Sequence, residues 1–174
     1  MNVWKNIVQI IKLKNIQEGH LFITEKGLYS EDRYVPELEI IMKKYPNAIL
    51  TLNSAFYYYG LTDTIPDHYY VATPKSNRKI EDVRVKQIYE NSNAFEMGKT
   101  TIEYDGVDIT IYNEERLLIE LIRNKRKFSF DLYKEIISNY RKLIHKMDMT
   151  QIMEYAYELP KTNMVMETIR LEIL

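Results

Sequence analysis

The stretch KTTIEYDGVDITIYNEERLLIELIR, residues 99–123, decides the fold class. Lys99 to Tyr104 and Val107 to Tyr112 alternate apolar and polar residues, the period of a half-buried strand. Between them stands Asp105-Gly106, the dipeptide that best tolerates the two positive φ angles of a tight hairpin turn. Asn113 then offers a side-chain acceptor for the exposed amides of a helix start. Leu117, Leu118, Leu121 and Ile122 follow at helical spacing, so a helix is expected over 114–124.

Working outward, everything C-terminal to this unit reads as helix. Ser129 caps 130–146, Thr150 begins 151–159, and after Pro160 a last helix runs from Thr162 to the terminus. On the N-terminal side, Tyr69 to Thr73 and Val83 to Tyr89 read as two more strands. Asn53-Ser54 is expected to cap a short helix through Tyr59, closed by Gly60 in a left-handed conformation. Further back, Val35-Pro36 opens a helix to Lys44. A small hairpin is expected from His20–Thr24, Glu25-Lys26-Gly27 and Leu28-Tyr29, and an amphipathic helix over 2–17 ends at Gly19. The order is α+β: a helix and wing-like hairpin, then an antiparallel sheet, then a helical cluster. The expected division is a unit of residues 1–44 followed by a larger one of residues 45–174.

Bulk composition narrows the function. The chain has 174 residues, 45% hydrophobic and 28% charged, an ordinary globular balance. Its formal net charge is −1, so no overall field draws it to nucleic acid or anionic lipid, and any such contact needs a local patch. The absence of cysteine excludes disulfides and thiolate zinc sites and fits a reducing cytoplasm. No apolar run approaches the roughly 20 residues that span a bilayer, and no secretory leader is read at the N-terminus. Fifteen tyrosines suit half-buried surfaces and interfaces, although AT-rich coding alone produces the same usage.

No catalytic constellation stands out. His20, His68 and His145 lie far apart, without a second ligand at helical or strand spacing, so no metal site is expected. Gly98-Lys99-Thr100 matches the tail of a phosphate loop, but Asn93 stands where its first glycine is needed, and a strand follows. No lysine has an acidic residue two positions before it, as the metal-dependent nucleases of the restriction type require. Glu103, Asp105 and Asp108 are explained by a turn and a solvated face. Ser76-Asn77-Arg78-Lys79 matches a Ser-x-x-Lys nucleophile only formally, in a polar loop. The expectation is a binding protein with no cofactor, and not an enzyme.

One charge feature remains. Arg123, Lys125, Arg126, Lys127, Lys134, Arg141, Lys142 and Lys146 fall within 24 residues that hold only two acids, Asp131 and Glu135. The stretch fits phosphate contacts to DNA or, equally, a solvated helix face. Lys5, Lys12, Lys14 and Lys26 in the N-terminal unit complete the candidate DNA-binding set.

Several segments together resemble the AbiEi antitoxin family of abortive-infection, type IV toxin–antitoxin systems. The most specific is Asn53-Ser54-Ala55-Phe56-Tyr57-Tyr58-Tyr59-Gly60-Leu61-Thr62-Asp63, preceded by Tyr45 to Leu50 and followed by Ile65-Pro66. Tyr70 to Pro74, Ile111 to Arg123 with Glu115-Arg116, Tyr155-Ala156 and Arg170 to Leu174 also match, so the likeness covers about residues 20 to 174. The chain departs from the family at Leu117 and Glu120, where threonine and aspartate are usual. It also departs in having one helix and a hairpin where the family has a complete winged helix. The resemblance implies an antitoxin that counters a nucleotidyltransferase-like toxin and represses its own operon, with Ser54, Ala55, Tyr59, Gly60, Leu61, Thr62, Asp63, Glu115 and Arg116 as a structural signature. Operator DNA and the toxin are the implied partners, and a monomer or weak homodimer is expected. A stand-alone DNA-binding regulator and a module that holds a toxin directly are the alternatives.

Overall fold

A computed structural model of the chain describes residues 12–174, which divide into two compact units, Met1–Pro46 and Asn47–Leu174. The boundary falls two residues beyond the one expected. Most of the helix expected over 2–17, with Lys5, lies outside the described residues.

In the first unit residues 12–17 are helical (α1), and Gly19, at φ +75°, ends the helix as expected. Strands β1 (Phe22–Glu25) and β2 (Leu28–Ser30) pair antiparallel around Gly27, at φ +89°. Helix α2 (Glu37–Lys44) follows, with Pro36 at its N-cap. Lys44 reaches back to Glu25 at 2.9 Å, tying that helix to the hairpin.

The second unit is built on β3 (Ile49–Leu50), β4 (Tyr69–Pro74), β5 (Val85–Glu90), β6 (Lys99–Tyr104) and β7 (Val107–Tyr112). Their order across the sheet is β5-β4-β3-β7-β6. The expectation of an antiparallel sheet is corrected here. β3–β4 and β6–β7 are antiparallel, but β4–β5 and β3–β7 are parallel, so the sheet is mixed. The physical reason is the loop 75–84, which turns back along β4 before β5 begins. Gln87 pins it: its Nε2 donates to Thr73 Oγ1 (2.7 Å) and to the Arg78 carbonyl, and its Oε1 accepts from the Ile80 amide. Val83 belongs to that loop and is exposed, and β5 starts at Val85. β6 and β7 have the expected bounds, with Asp105 and Gly106 both at positive φ (49° and 78°).

The helices of this unit are α3 (Leu52–Tyr58), α4 (Ser92–Phe95), α5 (Glu114–Arg123), α6 (Phe130–Leu143), α7 (Met149–Glu158) and α8 (Thr162–Thr168). A turn of π-helix, Ile169–Ile173, follows α8, and a 3-10 turn, Ile144–Lys146, follows α6. The helices expected over 130–146 and from Thr162 to the terminus therefore end earlier than expected. Asp148, not Thr150, caps α7, accepting the amides of Thr150 and Gln151. Asn113 and Ser129 cap α5 and α6 as expected.

Helix α5 is the centre of the unit. Residues 116 to 122 are all buried, and the helix packs against α3, α7 and α8. A helix enclosed on every side cannot leave a charged side chain unpaired. That condition shapes the surroundings of Arg116 and Glu120, both buried on α5.

Candidate functional site

Arg116 and Glu120 stand one turn apart on α5, and both are buried, at 0% and 3% exposure. Arg116 Nε donates to Glu120 Oε1 at 3.0 Å, and Nη1 donates to the Ala94 carbonyl of α4 at 3.1 Å. Its Nη2 lies 2.8 Å from Glu120 Oε1 and 3.8 Å from Glu90 Oε2, yet makes no hydrogen bond. The guanidinium carbon sits 4.9 Å from the centre of the Tyr112 ring, a cation–π contact. Glu120 also accepts from Arg123 Nη1 (2.7 Å) and Asn124 Nδ2 (3.0 Å). Two arginines thus converge on one buried carboxylate, with Glu90 at the margin. Burial, and then the Glu120 charge, hold the Glu90 carboxyl above its ordinary pKa against the pull of Arg116, Arg123 and Lys75.

The N-terminus of α5 fixes the site's position. Asn113 Oδ1 accepts the Arg116 amide at 2.9 Å, while its Nδ2 donates to Gln151 and Tyr155 of α7. Gly98 packs against this turn, and its carbonyl accepts the Asn113 amide at 2.7 Å. Gly98 is therefore a close-packing glycine at the start of β6.

The signature residues are likewise consumed in packing. The expectation that Asn53-Ser54 caps α3 is corrected: Thr51 holds the N-cap position, and Ser54 lies inside the first turn. Ser54 Oγ instead donates to the His68 carbonyl (3.1 Å) and accepts the Tyr70 amide (2.8 Å), joining α3 to β4. Ala55 is buried, and Tyr59, half-buried, ends α3. Gly60, at φ +66°, gives its amide to the Tyr57 carbonyl, and Leu61 gives its amide to Phe56, the paired bonds of a Schellman motif. Asn139 of α6 donates to the Leu61 carbonyl, Thr62 Oγ1 accepts from the Thr64 amide, and the Asp63 amide donates to Glu135. Glu115 accepts the Asp148 amide at the start of α7.

The basic stretch is divided. Arg123 belongs to the buried network. Lys125 pairs with Glu172 at 2.7 Å and covers the Tyr133 ring, and Arg141 Nε donates to the Glu172 carbonyl. Lys142 bonds Asn139. Arg126, Lys127, Lys134 and Lys146 are exposed and make no ion pair among the described residues. The expected patch of eight cations thus reduces to a smaller free set, because Glu172 of the C-terminal turn takes Lys125 and Arg141, Glu120 takes Arg123 and Asn139 takes Lys142. In the N-terminal unit Lys12 lies over the Tyr29 ring at 4.5 Å, Lys14 faces Glu18 at 3.8 Å, and Lys26 is exposed in the hairpin turn.

Three of the fifteen tyrosines belong to the core. Tyr112, Tyr133 and Tyr140 are buried, with hydroxyls donated to the Phe95 carbonyl, Glu172 and the Glu114 carbonyl. An apolar groove of about 460 Å³ opens between α7, α8 and the terminal turn, lined by Met149, Met153, Met166, Ile169 and Leu174 with Glu167 and Arg170. Sequence reasoning missed this groove, although the i, i+4 spacing of Met149 and Met153 was visible. It also missed the role of Glu120, whose spacing to Arg116 and Arg123 was equally visible. Among the described residues no group of three or more acidic or histidine side chains is placed to hold a metal, and no helix is long and apolar enough to cross a membrane.

No protein-family model matches the chain, and no curated protein matches it.

Proposed function

We propose that this protein is a non-enzymatic antitoxin of the abortive-infection type, in which the second unit counteracts a nucleotidyltransferase-like toxin. What supports the reading is that the segments carrying the AbiEi resemblance, distant in sequence, are mutually bonded. Ser54 accepts the Tyr70 amide, tying the signature helix to β4, and Asn113, at the start of α5, donates to the Tyr155 hydroxyl of α7. The reading rests on those residues alone, since no family model supports it.

The same protein contacts DNA weakly, through Arg126, Lys127, Lys134 and Lys146 and the exposed lysines of the hairpin unit. Phosphate contacts of that kind position a protein without reading sequence, which suits an autoregulator with a reduced winged helix.

The deciding experiment is co-expression of the full chain with the reading frame next to its own gene. Growth restored by this protein, and equally by residues 45–174 alone, is the expected result. Rescue by residues 1–44 alone, or no rescue from a toxic neighbour, overturns the reading. The methionine-lined groove favours a second reading, a module that holds the toxin directly, because flexible thioether surfaces adapt to a partner's apolar side chains. Co-purification of the two proteins separates the readings.

A further inference from the structure

β6 is an edge strand, and among the described residues nothing pairs with its outer side. The hairpin geometry fixes which backbone groups face outward. In a two-residue hairpin the residues flanking the turn, Tyr104 and Val107, exchange hydrogen bonds with each other, and bonded and non-bonded pairs then alternate. With the observed register, Tyr104, Ile102 and Thr100 direct their amides and carbonyls to β7. Glu103, Thr101 and Lys99 direct theirs away from it. The Lys99 amide confirms the direction, since it reaches the Glu96 carbonyl outside the sheet at 3.3 Å. The side chains of these three residues are exposed as well.

The three outward residues are self-complementary. Turning a second β6 about a two-fold axis through Thr101 places Thr101 opposite its own copy and each Lys99 opposite the other chain's Glu103. Lys99 exchanges its exposed pairing with Glu96, at 3.0 Å in the single chain, for this one. Both ion pairs form at hydrogen-bonded positions, where the Lys99 carbonyl accepts from the other copy and the Lys99 amide exchanges its 3.3 Å bond to the Glu96 carbonyl for the other copy's Glu103 carbonyl. The alternative registers lose these pairs. An axis through Ile102 sets Thr101 against Glu103 and Lys99 against Asp105, whose φ of +49° takes it out of the strand, and an axis through Thr100 sets Lys99 against Thr101 and Glu103 against Met97, which precedes the strand. An axis through Glu103 sets Glu103 against Glu103, and one through Lys99 sets Lys99 against Lys99. Like charges directly opposite each other destabilise a pair, and opposite charges and Thr–Thr pairs stabilise it. The inner face adds apolar area, since Ile102 and Tyr104 are half-exposed at this edge and Tyr58 stands 4.8 Å from Tyr104, ring to ring.

From this we infer that the occupant of the β6 edge is a second copy of this chain, paired antiparallel about Thr101 with reciprocal Lys99–Glu103 contacts, so that two five-stranded sheets join into one. The inference does not depend on the function proposed above.

Sedimentation of the full chain tests it. The wild type should show a concentration-dependent monomer–dimer equilibrium. Lys99→Glu and Glu103→Lys should each weaken the dimer by about ten-fold, because each creates two like-charge pairs. Mixed together, the two variants should recover it as a heterodimer, since every pairing of position 99 with position 103 then joins an ammonium to a carboxylate. Thr101→Pro removes an amide that β7 does not use, and proline is tolerated at such edge positions. It should fold, as judged by circular dichroism, and remain monomeric. A wild-type protein that stays monomeric at several hundred micromolar overturns the inference. So does a dimer that the mixed-charge experiment leaves unchanged, and so does an edge occupied by an extended segment of a different protein.

Discussion

A methyl group placed on Gly98 would lie 2.6 Å from the Cβ of Arg116 and 2.8 Å from Asn113 Oδ1. The strand that begins the β6–β7 hairpin and the helix that follows it thus touch at a point where only hydrogen fits. Gly98 also has φ +77°, so a side chain there meets a clash and a strained backbone together. Gly98→Ala should cost about 3 kcal/mol, the sum of left-handed strain and overpacking. That lowers the melting temperature by roughly 6–12 °C for a chain of this size. Gly60→Ala is the control. It has φ +66° but open space around it, so only the strain of about 1 kcal/mol applies. Equal melting temperatures for the two variants would show that Gly98 is not closely packed.

Glu120 is the shared acceptor of Arg116, Arg123 and Asn124. Glu120→Ala leaves the buried Arg116 guanidinium without its counter-charge and should destabilise by about 3–5 kcal/mol. Replacing both partners, Arg116→Met with Glu120→Leu, should cost less than the sum of the single changes, because the two most deeply buried charges leave together and only the less buried Arg123 and Glu90 remain. Urea denaturation of the wild type, Arg116→Met, Glu120→Leu and the double variant measures the coupling. Additive effects would mean that the pair does not interact.

The proposed weak DNA binding separates neighbouring cations by role. Arg126, Lys127 and Lys134 are exposed and unpaired among the described residues, so their joint replacement by alanine should leave the fold intact. It should flatten the log–log salt dependence of binding by about 0.9 for each phosphate that is no longer neutralised. Arg123→Ala should instead lower thermal stability, since its guanidinium is bonded to Glu120. A salt slope unchanged in the triple variant, or no binding at low salt, would count against phosphate contacts by these three cations.

Glu172 governs an acid-sensitive clasp. Burial raises its pKa, but the hydrogen bonds from Lys125 and Tyr133 and the charges of Lys125 and Arg141 outweigh burial and hold it below the ordinary value. A carboxyl with a lowered folded pKa contributes stability above its unfolded pKa and loses it as pH falls through the folded one. Glu172→Gln should therefore be less stable than wild type near pH 7, and the difference should shrink as pH falls below about 4. Melting curves from pH 7 to pH 3 check this. A constant gap would mean that the charge of Glu172 is not what matters.

The elements legible in the sequence were those whose stabilising contacts lie within a few residues. Asp105-Gly106 carries its own turn preference, so β6 and β7 could be bounded to the residue. Asn113 and Ser129 meet amides three positions on, and α3 ends where Gly60 and Leu61 give their amides to Tyr57 and Phe56. The α+β order follows from such local signals. Where a local signal misled, a distant group had taken the side chain: Ser54 serves β4 instead of its own helix start.

Only the tertiary structure decided the rest. β3 is two residues long, with both residues buried, and has no period to read, yet it is the central strand, because β4 and β7 pair on either side of it. The parallel direction of β5 depends on the path of loop 75–84, which Gln87 holds from within the strand. The fate of the basic stretch was settled by Glu172, 47 residues beyond Lys125. A charge run in sequence carries no information about which acid will fold back onto it. Local hydrogen bonding acts over one turn and is encoded in the residues that form it, whereas pairing direction, burial and charge neutralisation arise only when remote segments share one core.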